Sequence, residues 1–272
     1  MIVSRARLVV DGTSGVPRIL VSSATTPQRW AQTRRARDGW VEAVHQALGD
    51  GVFADDQHRT TIEACASDLL VRGLTATPLR RGRAVAVTHL RARAGATLVH
   101  LPGPLLPQVD AEHVNALRID VDGDSRLLAS SIVVPGRTGM GERGRFARLR
   151  LRTVARVDGH IAFAEDATFE PARAPIDSPA VFADQGASVS LLALGDWPLA
   201  DPAWWRAFLP GGVRGSASRL RLGGVCVRLL TPTLGVALGI IDALEAAARL
   251  TRSEALARPS IEAPAPVGAP LS

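Results

Sequence analysis

From the N-terminus to about residue 230, short runs of Val, Leu, Ile, Ala and Thr recur, and Gly, Asp or Pro closes each of them. Runs of this length between such breakers predict β-strands, because a helix would need ten or more residues of 3.6-residue periodicity. The clearest predicted strands are Ala6–Val10, Thr60–Cys65, Leu69–Leu74, Ala84–Leu90, Thr97–Leu101, Ala116–Val121, Arg126–Val134, Leu149–Val157 and His160–Ala164. Asp158-Gly159 joins the last two as a two-residue hairpin turn, since Gly accepts the positive φ that such a turn demands. A spacing also recurs. Ser67-Asp-Leu-Leu70, Gly95-Ala-Thr-Leu98 and Asp124-Ser-Arg-Leu127 each lead a polar turn into an apolar strand, with leucines 28 and then 29 residues apart. Units of turn, strand and return strand at that period would stack into a coil-like, two-sheet architecture.

The pattern changes after Pro232. Between Thr233 and Ala257, Leu234, Leu238, Ile241, Leu244 and Ala248 fall at helical spacing, and Ala237 and Ile240 widen the apolar arc beyond what one surface helix needs. This predicts a helix over 233–257 with a partner-facing surface at Leu234, Leu238 and Ile241. Residues 259–272, rich in Pro, Ala and Ser without periodicity, predict a disordered tail. The fold class is therefore mostly β: packed sheets built from successive hairpins or a coil-like stack, one domain over 1–258, with helical elements near the C-terminus.

A chain of 272 residues with 46% hydrophobic and 21% charged residues is long enough to bury a core without disulfides. The net charge of +6 and pI near 11.0 point first to nucleic acid. Yet all 32 basic residues are arginine, with lysine and tyrosine absent, which is the mark of a GC-rich coding sequence. A nucleic-acid-binding β protein stays an alternative on Arg34-Arg35-Ala-Arg37, Arg80-Arg81-Gly-Arg83 and Arg148-Leu-Arg-Leu-Arg152, but only 4% of residues are aromatic. Arginines interrupt the N-terminal apolar stretch, no uncharged run approaches the roughly 20 residues of a membrane span, and the two cysteines have no close Cys or His partner. A reducing cytoplasm, with no membrane, is the expected compartment.

Catalytic templates do not fit. The chain lacks G-x-S-x-G, H-E-x-x-H, a P-loop lysine and a G-x-G-x-x-G that opens a helix after a strand. Gly139-Met-Gly141 reads as a glycine-rich turn, and the adjacent pairs Asp55-Asp56 and Glu165-Asp166 read as solvated turn residues, leaving a small Asp/Glu/His hydrolase as a second alternative. The six histidines are spaced singly. One local cluster, Asp110-Ala-Glu112-His113, offers donors for nickel or zinc if it is a loop; in a strand His113 would face away from both acids. Cys226 reads as a small buried thiol in a strand.

Two segments remain. Pro102, Pro104 and Pro107 follow a strand directly, and Gly136-Arg137-Thr-Gly139-Met-Gly141-Glu142 joins two apolar strands with an Arg and a Glu placed to pair across the turn. Together with Gly95-Ala-Thr-Leu98 and the later Gly224-Val-Cys-Val-Arg228-Leu-Leu230, they resemble the urease accessory proteins called UreD or UreH, which carry G-A-x-L-x-x-L-P-x-P, then G-R-x-A-x-G-E, then G-x-x-V-R-x-L. The chain departs from that pattern at Gly49–Asp56, at Leu74-Thr-Ala-Thr-Pro78, where the family's Gln and Lys are missing, and at Gly139. The resemblance implies a non-enzymatic chaperone that works with a UreF-like helical protein and a UreG-like GTPase on apo-urease. It implies nickel in transit and no tightly bound cofactor.

Overall fold

In the computed structural model, residues 1–250 are described; the end of the predicted helix and the predicted tail lie outside them. Seven strands make one sheet: β1 (Val3–Asp11), β2 (Arg18–Ala24), β5 (Gln57–Cys65), β8 (Gly82–Arg93), β11 (Ala111–Val121), β13 (Arg148–Val157) and β14 (His160–Phe169). Their order is β14-β13-β11-β8-β5-β1-β2. The second sheet contains β3 (Gln28–Arg35), β4 (Val41–Ala47), β6 (Asp68–Gly73), β9 (Thr97–Leu101), β12 (Arg126–Val133), β15 (Ala187–Leu194), β16 (Arg214–Arg219) and β17 (Val225–Thr231), in the order β16-β17-β15-β12-β9-β6-β4-β3. Short β7 (Thr77–Leu79) and β10 (Leu105–Pro107) pair with each other beside β12.

Between β4 and β13 the chain lays strands alternately in the two sheets, so neighbours within each sheet run parallel and each turn of the coil adds one strand to each. Hairpins close the ends, at β1–β2, β3–β4, β13–β14 and β16–β17; the middle is a parallel coil and not the run of hairpins the sequence also allowed. The recurring spacing is this coil's repeat. Val41, Leu69, Leu98 and Leu127 sit in register across the second sheet. The register partner of Leu98 is thus Leu69 and not the predicted Leu70, which stands opposite Val99 on the other face. In the first sheet Thr60, Thr88, Leu117 and Thr153 align, the last step being longer because the glycine-rich turn of residues 134–147 is inserted there. At the β13–β14 turn Asp158 and Gly159 both take positive φ, 49° and 79°, as the dipeptide predicts.

Apolar side chains fill the inter-sheet space at both ends of the strands. Leu8, Ile62, Leu90, Ile119, Leu127 and Leu194 belong to one cluster, and Leu79, Ala84, Leu149, Phe146 and Phe182 to the other. A third core lies outside the second sheet, under helices α1 (Pro202–Phe208) and α2 (Leu234–Leu250). Asp201 caps α1 by accepting from the Ala203 N–H at 2.9 Å, and Trp205, fully buried, donates Nε1–H to the Leu199 carbonyl at 2.7 Å. Thr233 Oγ1 accepts from the Val236 N–H at 3.2 Å at the start of α2.

The wide apolar arc of α2 is used within the chain. Ala237, Ile240, Ile241, Leu244, Ala247 and Ala248 are all buried against the second sheet, which corrects the placing of Ile241 on a partner surface. Leu234 is half-buried, and Leu238, 41% exposed, alone of the three points outward.

Candidate functional site

A polar layer divides the two inter-sheet cores. Inward positions of β5 read His58, Thr60, Ile62, Ala64; those of β11 read Ala111, His113, Asn115, Leu117, Ile119. The polar side chains occupy neighbouring levels of the sheet: His58 is level with Asn115 through Ala86, Thr60 is level with Thr88, and His113 lies one inward position from Asn115 along β11. From the second sheet His45, His100, Ser131 and Ser190 face the same space, so the layer encloses a cavity of about 190 Å³, room for several waters. Four histidines spaced singly in the sequence thus line one cavity, because the coil's register brings β4, β5, β9 and β11 around it.

Burial keeps these imidazoles neutral. His100 is pushed down to about 3 and His113 and His45 to about 4, chiefly because desolvation penalises the cation and secondly because a neighbouring histidine would repel it. His58 is lowered for the same reason, offset in part by Asp56 at 3.8 Å. Gln28 Oε1 accepts from Thr60 Oγ1 at 2.7 Å and contacts His45 Nε2 at 3.0 Å, so His45 carries its proton on Nε2. Nδ1 of His100, Nδ1 of His113 and Nε2 of His58 are buried and, among the described residues, meet no hydrogen-bond partner from the protein.

The shifts carry a pH dependence. A folded-state pKa below the unfolded 6.5 means that the unfolded chain binds more protons, so stability is full above about pH 7 and is lost as pH falls from about 6.5 towards 4. Each histidine contributes a slope of roughly 1 kcal/mol per pH unit in that window. Thermal midpoints at pH 7.5, 6.0 and 5.0 are expected to fall steadily, and less steeply for a His100→Leu/His113→Leu variant. Equal slopes for both proteins would show that these imidazoles are already protonated or solvated.

At one edge of the cavity Glu165 faces inward beside Thr153 and is held by Arg228 at 2.5 Å, while Asp166 faces outward to Arg150 and Arg152. Asp56, 3% exposed, accepts from the backbone N–H groups of Ile2 and Phe53, both at 3.0 Å. Neither Glu165 nor Asp56 is the solvated turn residue that its neighbour suggested. At the other edge Arg72 lines the cavity and reaches Glu245 and Asp242 of α2 at 2.7 and 3.1 Å. Arg249 then ties α2 to Asp38 and Glu42 and stacks over Trp40 at 5.6 Å.

The proline segment forms a wall of the same cavity. Pro102, Gly103 and Leu105 line it, with Pro104 between them and Pro107 at the end of β10. A Cβ on Gly103 would stand 1.9 Å from the Thr75 carbonyl oxygen, so only glycine lets this segment lie against residues 73–78. Those residues, together with Gly49 and Gly51, are the segments where the family's pattern is altered, and they make the cavity's rim.

Arg137 and Glu142 do pair: Nε and Nη2 reach the two carboxylate oxygens at 2.7 and 2.5 Å. The hydrogen bonds from Arg137 hold the Glu142 carboxyl below the usual carboxylate range. Gly136 takes φ 113° directly against the Glu142 carbonyl, Gly141 takes φ 69°, and the clamp closes the inserted turn without lining the cavity. The candidate metal set is not assembled. β11 turns His113 inward and Glu112 outward, towards Arg83, and Asp110 is bound by Arg81. Among the described residues no group of three or more His, Cys, Asp or Glu is close enough to hold a metal ion.

Comparison with known proteins agrees with the motifs. The family described as UreD urease accessory protein matches residues 3–263. Urease accessory protein UreD of Mycolicibacterium gilvum is 30% identical over 127 residues, 45% of this chain and 46% of that protein. UreD of Haloarcula marismortui is 32% identical over 128 residues (45% and 42%), and UreH of Helicobacter hepaticus 28% over 109 (40% and 43%). The chain spans just under half the length of these relatives.

Proposed function

The chain belongs to the UreD family of urease accessory proteins, and from that premise we propose that it passes nickel to apo-urease as a non-enzymatic member of a cytoplasmic complex with a UreF-like protein and a UreG-like GTPase. The observation that carries this reading is the polar layer. Polar side chains at these inward positions forgo the burial energy that aliphatic residues would supply there, and they keep a polar cavity open between two apolar cores. Neutral imidazoles are ligands for nickel, and dispersing them gives weak, successive contacts suited to transfer and not to storage. Glu165 at one edge adds a carboxylate that would have to exchange its Arg228 partner for a passing cation. Leu238 on α2, and the Arg72 contacts that join α2 to the cavity rim, offer the partner a place to dock beside it.

Cells carrying the urease structural genes and the other accessory genes test this directly, with and without the present gene. Urease purified from the complemented strain should hold near-stoichiometric nickel, and that from the deletion strain at least tenfold less. Equal nickel in both would remove the proposed role.

A further inference from the structure

The second sheet covers its outer face with α1 and α2, whereas among the described residues no element packs on the outer face of the first sheet. Strand alternation sets what it presents. The outward positions of β1, β2, β5, β8, β11, β13 and β14, with Glu170 just after β14, hold twelve arginines and six carboxylates. The rest of the sequence then holds twenty of each sign, 32 less twelve and 26 less six, so the whole net charge of +6 lies on this one face. Codon usage accounts for arginine in place of lysine. It does not account for where the unmatched charges fall.

Glu63, Glu112, Asp166 and Glu170 are each paired with arginines of their own or neighbouring strands. Arg5, Arg7, Arg59 and Arg118 are exposed and, among the described residues, have no carboxylate within 4.0 Å. Arg5 and Arg59 are in direct register on adjacent parallel strands, a placement in which like charges repel. Following the register inward from Arg59, Val87 and Ala116 come next, with Val85 and Val114 beside them. An apolar strip edged by unmatched arginines has the composition of a protein interface, where Arg is enriched and the centre is apolar. The outward positions of β1, β5, β8, β11 and β13 include no Phe, Trp or Tyr, and their one ring, His89, is engaged by Asp120, so the face lacks the row of aromatic platforms that single-stranded nucleic acid uses.

We propose that the outer face of the first sheet, centred on Arg5, Arg59 and Arg118, docks an acidic protein surface. The proposal takes one of its protein probes from the urease reading above. Two variants carry the same change in net charge: Arg5→Glu/Arg59→Glu/Arg118→Glu on the face, and Arg35→Glu/Arg206→Glu/Arg221→Glu at exposed positions elsewhere. Circular dichroism first confirms that both are folded. Binding is then measured at 50 and 150 mM NaCl to immobilised apo-urease, to a 20-residue polyglutamate peptide and to a 20-nucleotide single-stranded DNA. The wild type should bind a protein probe, more weakly at higher salt; the face variant should lose at least tenfold and the control variant less than threefold. Equal losses in the two variants would reduce the effect to net charge and overturn the proposal. So would tighter binding of the DNA than of either protein probe, or no binding of either protein probe. Binding of polyglutamate without apo-urease would keep the docking face and count against the urease reading.

Discussion

Replacing Ile241 by Asp is expected to unfold the protein, whereas Leu238→Asp three residues earlier should leave it folded. Ile241 is 6% exposed and packs in the core between α2 and the second sheet, with Ile240, Leu244 and Leu229 in the same cluster. The substitution removes a buried aliphatic side chain, about 2–5 kcal/mol, and leaves a carboxylate without a cation beside it. Arg72 is already engaged with Asp242 and Glu245, so it is not free to neutralise the new charge. Against a typical total of 5–15 kcal/mol, these losses exhaust most of the stability. Leu238, 41% exposed, has water on its outer side, and its replacement should cost under about 1 kcal/mol while weakening any complex formed on α2. Urea unfolding followed by circular dichroism separates the two. A native-like midpoint for Ile241→Asp would mean that α2 is not part of the chain's own core.

Much of this fold was legible because most strands have one buried face and one wet one. β1 and β5 alternate cleanly, and the spacing of 28 and 29 residues in the sequence is the pitch of the coil, read one residue out of register at Leu70. β2 and β16 are exposed along almost their whole length and so carry no alternation to read, while β15 is covered on both faces and its Leu191–Leu194 end reads as an unbroken apolar run. α1 is only seven residues long, too short for a periodic signal; its Asp201-Pro202 start was the one mark it left.

The candidate site was hidden for a different reason. Local spacing is how metal clusters are found in a sequence, and His45, His58, His100 and His113 come from four strands that meet only through the coil's register. A subtler signal was present. In β5, β8 and β11 the inward series switches from aliphatic to His, Thr or Asn over a few adjacent levels, which marks a polar layer once the inward parity is known. The proline segment and the Arg137–Glu142 turn were found by motif, but only the structure separates them: the first walls the cavity, the second clamps an inserted turn.

Filling the polar layer tests the central claim most directly. Thr88 and Ser131 face the cavity from opposite sheets, so Thr88→Leu with Ser131→Leu would occupy much of its roughly 190 Å³ with side chains that match the dry cores above and below. Removing two hydroxyls and burying two leucines should leave the thermal midpoint unchanged or raise it, by about 1–2 kcal/mol in stability, because the space already exists and no overpacking is forced. Partner binding should also persist, since neither residue reaches the outer surface of the coil. If the polar layer carries the ion, urease purified from cells expressing this double variant with the full gene set will contain at most a tenth of the wild-type nickel. Full nickel content in that urease, from a variant that is folded and as stable as the wild type, would contradict the account.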